Sequence, residues 1–411
     1  MQFTDLQLNA SILKAIAEER FHTPTKVQEQ AIPPILAKRN VIVSAQTGTG
    51  KTAAFALPIL QLLFEEENNK KKSPKIKSLI ITPTRELCLQ IEENFKSYGK
   101  YTEITTTAVY GGVSLEPQKE VLKNGVNVLI ATPGRLIDLQ KQGAIDLSGI
   151  EIFVLDEADL MLDMGFVNDV KKIESLCPRK KQSLLFSATI PEKIVELSKT
   201  ILKNPVTIKI NPAETTAKTI GQLLYYLPKK RKTDLCLHLL RNTINGKIII
   251  FRRTRIGVDK LEETLSKNGY KVTSIHGEKT QLIRNKAIED FKNKKASILI
   301  ATDVAARGID IDNVDAIINF DIPNISETYV HRIGRTGRAG KSGIAFSFCS
   351  PDENAYIKSI EELLQRPIKV ITDHPYPLVQ SKKQKIQPNT ISQHKKGRKS
   401  EASKKNKKRW Y

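Results

Sequence analysis

The chain alternates short runs of aliphatic and β-branched residues with longer stretches in which apolar residues recur at helical spacing, from residue 1 to about residue 372. A short, continuous apolar run is typical of a parallel strand that is buried on both faces of its sheet. Runs of this kind predict the strands 41–43, 78–81, 127–130, 152–155 and 183–186 in the first half. In the second half they predict the strands 248–251, 272–275, 298–300, 316–318 and 344–348. The pattern therefore predicts an α/β fold with two tandem parallel-sheet domains.

The apolar periodicity lapses at 211–217, and we predict an interdomain linker at 210–218. The predicted first domain is 30–209, after an N-terminal region 1–29, and the predicted second domain is 219–372. Val-Leu-Ile-Ala-Thr at 128–132 is echoed by Ile-Leu-Ile-Ala-Thr at 298–302. This echo favours duplication of one fold.

Composition adds a strong basic excess that is unevenly distributed. The 411 residues include 66 Lys+Arg and 44 Asp+Glu, a formal net charge of +22. Residues 381–411 alone hold 12 Lys/Arg and one acid, which is half of that charge. They contain almost no aliphatic residues, so we predict a disordered basic tail over 373–411. The tail is either a solvated, solubilising run or an electrostatic tether to phosphates, with Trp410 and Tyr411 available to stack on bases.

Several classes of protein are disfavoured by the sequence. The longest apolar runs are far shorter than the roughly 18 residues that a membrane span needs, so no membrane contact is expected. The segment Met1–Asp5 lacks the order of a secretory signal, and we expect a cytoplasmic location. Four cysteines without a CxxC pair favour reduced thiols over a disulfide framework or a zinc site.

A phosphate-binding loop follows the first predicted strand and precedes an Ala/Leu-rich helix. Its glycines would allow backbone N–H groups and a helix N-terminus to face phosphate oxygens. Lys51 would reach the β/γ-phosphates, and the Thr52 hydroxyl would hold Mg²⁺. The predicted nucleotide-binding residues of this loop are Ala45, Gln46, Thr47, Gly48, Thr49, Gly50, Lys51 and Thr52.

The strand 152–155 ends abruptly at a run with three acidic residues, in the order Asp156, Glu157, Ala158 and Asp159. Such a cluster is costly unless it meets a cation, and the phosphate-binding loop supplies a reason for one. Asp156 is then the Mg²⁺ partner, in part through water, and Glu157 the base that activates the attacking water. The alternative is a helix N-cap with acids near its positive end. With the loop, the cluster predicts nucleoside triphosphate hydrolysis.

A basic cluster lies at 331–338 in the second predicted domain. It is either a solvated basic loop or a source of positive charge for a γ-phosphate, since only Lys51 is available in the first domain's motifs. In the second interpretation, Arg335 and Arg338 are arginine fingers that arrive when the two domains close over the nucleotide.

With these motifs in this order, residues 1–372 resemble a DEAD-box ATP-dependent RNA helicase, which implies two RecA-like domains of the P-loop NTPase class and helicase superfamily 2. The literal Asp156–Asp159 box and a Q motif with Phe3, Phe21 and Gln28 carry the resemblance. It implies that Gln28 contacts the adenine edge and Phe21 stacks on the ring. Arg20 stands where the family usually has glycine. Ser187 and Thr189, with Asp159 and His331, would couple the ATP state to strand separation.

The resemblance also implies RNA-backbone contacts at the ends of strands and in loops, which favours sequence-independent binding. These contacts fall on Pro83, Thr84, Arg85, Gly111, Gly112, Thr132, Arg135, Gln281, Arg284 and Thr302. Gly308 and Asp310 would reach the nucleotide from the second domain, and Arg252 with Arg253 would add charge near the RNA path.

Within the family, the chain most resembles the bacterial RhlE-type group, which implies a role in ribosome assembly or RNA turnover. Two other classes stay open. One is a DNA-directed or double-strand translocase of the same superfamily, and the other is a non-enzymatic RNA clamp that binds ATP without turnover.

Overall fold

Parallel β-sheets organise the computed structural model, which describes residues 1–46, 48–67, 75–210, 220–306, 311, 314–337 and 343–378. The strands of the first sheet are β1 (Val41–Ser44), β2 (Ser78–Ile81), β3 (Thr106–Val109), β4 (Val128–Ala131), β5 (Ile152–Leu155), β6 (Gln182–Ser187) and β7 (Val206–Lys209). The helices around it are α1 (Ala10–Glu18), α2 (Lys26–Leu36), α3 (Lys51–Glu67), α4 (Arg85–Tyr98), α5 (Glu116–Lys123), α6 (Pro133–Lys141), α7 (Ala158–Asp163), α8 (Val167–Leu176) and α9 (Glu192–Ile201).

The second sheet contains β8 (Ile220–Tyr226), β9 (Ile248–Phe251), β10 (Val272–Ile275), β11 (Ile298–Ala301), β12 (Ala316–Asn319), β13 (Gly343–Cys349) and β14 (Lys369–Val370). Its helices are α10 (Lys232–Asn242), α11 (Arg255–Lys267), α12 (Gln281–Lys292), α13 (Asp303–Ala306), α14 (Ser326–Ile333) and α15 (Asn354–Leu364).

The two sheets share one topology. Their strand orders are β3-β4-β2-β5-β6-β1-β7 and β10-β11-β9-β12-β13-β8-β14, and every strand pair found among the described residues is parallel. Adding seven to each strand number of the first order gives the second. The echoed segments 128–132 and 298–302 begin on β4 and β11, which occupy equivalent places. The predicted α/β fold and the duplicated architecture are therefore confirmed.

Apolar side chains cover both faces of each sheet, as expected when helices pack on both sides of parallel strands. The central strands β2, β4, β5, β9 and β11 are buried along their whole length. β3, β7, β8 and β14 have no counterpart among the predicted strands. β3, β7 and β14 stand at sheet edges and β8 alternates buried with exposed positions, so none presents a continuous apolar run.

The folded part extends beyond the predicted second domain. Residues 1–377 form one compact unit. Within the stretch that the sequence assigns to the tail, the His374 ring lies 5.4 Å from that of Tyr225, and the Arg231 guanidinium lies 4.5 Å from the Tyr376 ring centre. The other end of the prediction is also displaced, because the boundary between 29 and 30 falls inside α2.

Two predicted segments lie outside the described residues: 211–218 of the linker, and the tail from residue 379 onward. All four cysteines, Cys88, Cys177, Cys236 and Cys349, are free and buried. No helix in the described part of the chain is long and apolar enough to cross a membrane.

Candidate functional site

The phosphate-binding loop runs from the end of β1 to the first residue of α3. Gly48 and Gly50 have φ angles of 80° and 89°, a left-handed conformation that glycine adopts without a Cβ penalty. The Ala45 N–H donates to the Ser187 carbonyl at 3.0 Å, and the Thr49 hydroxyl donates to the Gln46 carbonyl at 2.7 Å. The loop is thus held by a bond to the end of β6 and by a bond within the loop itself. Predicted residue Thr47 lies outside the described residues.

Lys51, the first residue of α3, is buried beside the acidic residues that follow β5. Its Nζ lies 3.0 Å from Oε1 of Glu157. Burial on its own lowers the pKa of Lys51, but the carboxylates of Glu157, Asp156 and Asp159 outweigh that effect and raise it. The lysine is therefore held as a cation at the N-terminus of α3, next to the half-buried Thr52.

Asp156 is buried, and its Oδ1 has no hydrogen-bond partner among the described residues. Burial, followed by the neighbouring charge of Glu157, raises the pKa of Asp156 to about 7. A buried carboxylate oxygen left without a donor is costly, and a cation removes that cost. The side chain therefore fits the predicted metal role.

Glu157 adopts a left-handed backbone conformation with a φ angle of 52°. A residue other than glycine pays about 1–3 kcal/mol for such strain, which persists mainly at functional positions. Glu157 is the N-cap residue of α7, yet its side chain makes no capping hydrogen bond. The helix-capping alternative therefore does not explain this glutamate.

Asp159 connects the acidic cluster to the segment that follows β6. Its Oδ2 accepts hydrogen bonds from the N–H and the hydroxyl of Thr189 at 2.9 and 3.0 Å, while the Asp159 N–H donates to the Ser187 hydroxyl at 3.2 Å. Burial alone raises the pKa of Asp159, but the positive charges of Lys51 and His331 contribute to a net decrease. The structure thus brings together all four predicted coupling residues, with His331 contributed by α14 of the second sheet.

The N-terminal motif contacts the phosphate-binding loop directly. Gln28 accepts a hydrogen bond from the Thr25 N–H at 2.8 Å and donates to the Gly50 carbonyl at 3.3 Å. The Thr25 hydroxyl donates to the Thr49 carbonyl at 2.8 Å, a contact that the candidate residues did not include. A Cβ on Gly50 would lie 2.5 Å from Nε2 of Gln28, so this approach requires glycine.

Phe21 is partly exposed and packs near Phe3 and Tyr98, with ring centres 6.1 and 5.7 Å away. Arg20, immediately before it, has a φ angle of 61°. This conformation explains physically why glycine suits the position, and it shows that arginine accepts the same backbone here.

A groove of about 380 Å³ lies between residues of the two sheets. Its lining includes seven of the predicted RNA-contact residues, namely Pro83, Thr84, Arg85, Gly111, Thr132 and Arg135 from the first sheet's loops and helices, and Arg284 from the second. It also includes Gly277 and Ala305. Thr302 is buried, directly follows β11 and lies three residues before Ala305 in the chain.

Hydrogen bonds cross this groove between α4 and α12. Nη1 of Arg85 donates to Oε1 of Gln281 at 3.3 Å, and Nε2 of Gln281 donates to Oε1 of Glu86 at 2.9 Å. The same Glu86 oxygen lies 2.9 Å from Nη2 of Arg284. The sequence does not indicate this pairing, because Gln281 lies 195 residues from Glu86 along the chain.

Arginine crowding marks the first-domain side of the groove. Burial, assisted by the charges of Arg284 and Arg135, lowers the pKa of Arg85. Nη1 of Arg135 is buried and has no hydrogen-bond partner among the described residues. A Cβ on Gly112, whose φ angle is 79°, would lie 1.9 Å from Nη1 of Arg85. These features suit a groove that accepts an anion.

Arg335, two residues beyond α14, is buried, and Arg332 within α14 is also buried. The Arg332 side chain donates to both carboxylate oxygens of Asp303, at 2.6 and 2.8 Å, and to the Asp321 carbonyl at 2.7 Å. Arg332 therefore anchors the helix that carries His331, a role for which the sequence offered no separate signal. Predicted residues Arg338, Gly308 and Asp310 lie outside the described residues.

The expectation that Arg252 and Arg253 add charge near the RNA path is not supported by their contacts. Arg252 pairs with Asp321 at 3.1 Å and lies 4.1 Å from the Phe320 ring centre. Arg253 pairs with Glu353 at 3.3 Å and donates to the Ile322 carbonyl at 2.8 Å. Both guanidinium groups are neutralised within the second domain.

The protein has two RecA-like α/β domains in tandem, and a phosphate-binding loop follows the first strand of its N-terminal domain. These features define the P-loop NTPase class. Family models agree with this architecture: the DEAD/DEAH box helicase model matches residues 25–197, and the helicase conserved C-terminal domain model matches residues 231–340. The DEAD-box ATP-dependent RNA helicase RhpA of Helicobacter pylori (strain ATCC 700392 / 26695) is 43% identical over 368 residues, covering 90% of this chain and 73% of that protein. The chain therefore belongs to the DEAD-box family of ATP-dependent RNA helicases.

Solved structures of relatives differ in how well they superpose. S. cerevisiae Dbp5 bound to RNA and ADP BeF3 is 32% identical, covers 90% of this chain and 95% of its own, and gives a TM-score of 0.81. A DEAD box protein from the hyperthermophile Methanococcus jannaschii is 38% identical, covers 90% of this chain and 99% of its own, and gives 0.52. Higher identity thus does not bring better superposition.

Proposed function

We propose that this protein couples ATP hydrolysis to local separation of RNA duplexes or to remodelling of RNA–protein complexes. The observation that carries the proposal is the buried contact of 3.0 Å between Lys51 of the phosphate-binding loop and Glu157 of the acidic cluster. The contact brings together a phosphate-binding cation that follows β1 and a candidate general base that follows β5, two strands separated only by β6. These are the two groups that hydrolysis of a γ-phosphate requires.

ATP binding would use the first domain's loop and the N-terminal motif. Backbone N–H groups of the loop 45–50 would face the phosphates, and Lys51 would neutralise the β/γ-phosphate charge. Gln28 would contact the adenine edge and Phe21 would stack on the ring. The hydrogen bond from Gln28 to the Gly50 carbonyl supports this, because it connects base recognition to the phosphate loop. Gly308 and Asp310 would complete the nucleotide site.

Magnesium fits this site, since Oδ1 of Asp156 is buried without a donor among the described residues. Thr52 and Asp156 would hold the ion, the latter in part through water. When bound, the ion supplies positive charge to the phosphate oxygens.

The chain's own side chains would perform the hydrolytic step on closure of the two domains. Glu157 would orient and deprotonate the attacking water, while Lys51, Arg335 and Arg338 would stabilise charge on the γ-phosphate. The hydrogen bonds of Asp159 with Thr189 and Ser187, and its electrostatic contact with His331, support a path by which the nucleotide state reaches the second domain.

RNA would lie in the groove between the two sheets. Arginines, hydroxyl groups and glycines suit backbone phosphate and ribose rather than base edges, so binding would be independent of sequence and would use the 2′-OH to distinguish RNA from DNA. The TM-score of 0.81 with RNA-bound Dbp5 supports an arrangement of the domains that suits RNA binding. Holding one strand in a bent form would cost the duplex a few base pairs.

We infer a cytoplasmic protein of the RhlE-type group that acts on ribosomal precursors or in RNA turnover. The basic residues at 381–411 would raise the local RNA concentration as an electrostatic tether.

Steady-state ATPase assays with single-stranded RNA and with DNA of the same sequence test the function. Stimulation by RNA alone is expected, and equal stimulation by DNA would favour a DNA-directed translocase. Lys51→Ala should abolish ATP binding, so RNA-stimulated turnover in that variant would refute the site. The Glu157→Gln variant should bind ATP and RNA but keep its two domains closed over the nucleotide. Normal phosphate release by this variant would contradict the role of Glu157, and absence of turnover in the parent would favour a non-enzymatic clamp.

A further inference from the structure

His276 is a buried histidine in the 276–280 loop, which connects β10 to α12. Its Nε2 lies 2.9 Å from Oδ1 of Asp259, and its Nδ1 accepts a hydrogen bond from the Glu278 N–H at 3.3 Å. An Nδ1 that accepts carries no proton, so the proton resides on Nε2 and is donated to Asp259. Both ring nitrogens of a neutral imidazole are thus used to hold the loop.

The polar face of α11 holds the same loop at two further points. Arg255, Asp259 and Glu262 are spaced by four and three residues, so they project from one face of the helix. Arg255 pairs with Glu278 at 2.5 Å, and Glu262 accepts from Lys279 at 3.0 Å. Glu262 also accepts from the Ser274 hydroxyl at 2.7 Å, at the end of β10. The histidine is the buried centre of this row of contacts.

The 276–280 loop and the start of α12 contribute residues to the groove. Gly277 lines the groove, and a Cβ added at this residue would have no atom within 4 Å. Thr280 is the N-cap of α12, with its hydroxyl accepting from the Ile283 N–H. The first turn of α12 then presents Gln281 and Arg284 to α4 across the groove. Any shift of the loop would therefore move these two side chains together.

We propose that His276 is a positioning residue for RNA binding, which acts with Asp259 to fix the 276–280 loop and thereby the direction of Gln281 and Arg284. This inference rests on the proposed function, because it assumes that the groove binds RNA. His276 touches neither the nucleotide-binding loop nor the acidic cluster in any contact described above. Its loss should therefore alter RNA affinity without altering the chemistry of ATP.

The test measures ATPase activity of the full chain against the concentration of a single-stranded oligouridylate, with thermal melting in parallel. His276→Ala and Asp259→Ala should each raise the half-saturating RNA concentration roughly tenfold, as expected for loss of one well-formed hydrogen bond. The kcat at saturating RNA and the KM for ATP should stay within about twofold of the parent. Asp259→Asn should restore RNA affinity, because its amide oxygen still accepts from Nε2–H.

Two controls separate the outcomes. Glu263→Ala changes an exposed residue of α11 outside this row and should leave RNA affinity unchanged. Arg284→Ala should weaken RNA binding if the groove is the RNA site. If Arg284→Ala weakens binding but His276→Ala and Asp259→Ala do not, the positioning role is refuted and the proposed function stands. If Arg284→Ala has no effect, the groove assignment fails too. A uniform loss of kcat, RNA affinity and melting temperature in both Asp259 variants would refute positioning in favour of a general structural role.

Discussion

Gly112→Ala is expected to weaken RNA binding by displacing a single arginine. The added Cβ would lie 1.9 Å from Nη1 and 2.2 Å from Cζ of Arg85. No Cβ tolerates such distances, so the guanidinium must leave its place. Because it is the far end of a flexible side chain, the fold can accommodate the movement, and the effect should concentrate in the groove.

Gly112→Ala should lower both the stability of the protein and its affinity for RNA. A φ angle of 79° is left-handed, and a Cβ in that conformation lowers the free energy of unfolding by about 1–2 kcal/mol. Displacement of Arg85 breaks its 3.3 Å hydrogen bond to Gln281 and withdraws a cation from the groove. A hydrogen bond from that cation to an RNA phosphate would be worth about 1.5–3 kcal/mol. Its loss should lower RNA affinity roughly 10- to 100-fold and reduce the slope of log affinity against log salt concentration by about one.

Fluorescence anisotropy of labelled single-stranded RNA with a non-hydrolysable ATP analogue measures the affinity, and urea unfolding measures the stability. Gly143→Ala is the control for backbone strain, because Gly143 has a φ angle of 65° but no atom within 4 Å of a Cβ. Gly134→Ala is the control for the groove, since Gly134 lines it and also has nothing within 4 Å. Parental RNA affinity in Gly112→Ala, or an equal loss in Gly143→Ala, would refute the reasoning.

Three further predictions follow from particular contacts. Lys232→Met should destabilise the protein by about 1–3 kcal/mol in urea unfolding, because buried Glu353 loses its nearer cation at 2.5 Å and keeps only Arg253 at 3.3 Å as a cationic partner. Lys229→Ala, at an exposed lysine that pairs with Asp352, should show no measurable change. Arg20→Val should lower the unfolding free energy by about 1–2 kcal/mol because a β-branched residue resists a left-handed φ, whereas Arg20→Gly should stay within about 0.5 kcal/mol of the parent; equal stability of all three would contradict the strain argument. Deletion of residues 381–411 should leave ATPase activity without RNA intact but weaken RNA binding and reduce its salt dependence, and an unchanged salt slope would exclude a tether.

Most central strands were predictable because burial on both faces requires a continuous apolar run. β2, β5 and β9 have the predicted bounds, and so does β10 at the edge of the second sheet. The strands β3, β7, β8 and β14 were missed for the same physical reason in reverse, since a strand with an exposed face or edge alternates polar with apolar residues and resembles a loop. The end of the folded part was also missed, because His374 and Tyr376 are held by aromatic contacts with residues distant along the chain, which leave no periodic pattern.

The sequence by itself determined the chemistry that depends on local spacing. A loop from Ala45 to Thr52 between a strand and a helix, and the acidic run from Asp156, identify a phosphate site because all their relevant atoms come from neighbouring residues. Tertiary structure alone decided the contacts between distant segments: Glu86 bonded to Gln281 and Arg284, Arg332 anchored on Asp303, and Arg252 neutralised by Asp321. The cause is that the role of a charged residue depends on which opposite charge lies beside it in the folded protein. The spacing of residues along the chain does not reveal which distant groups are brought together.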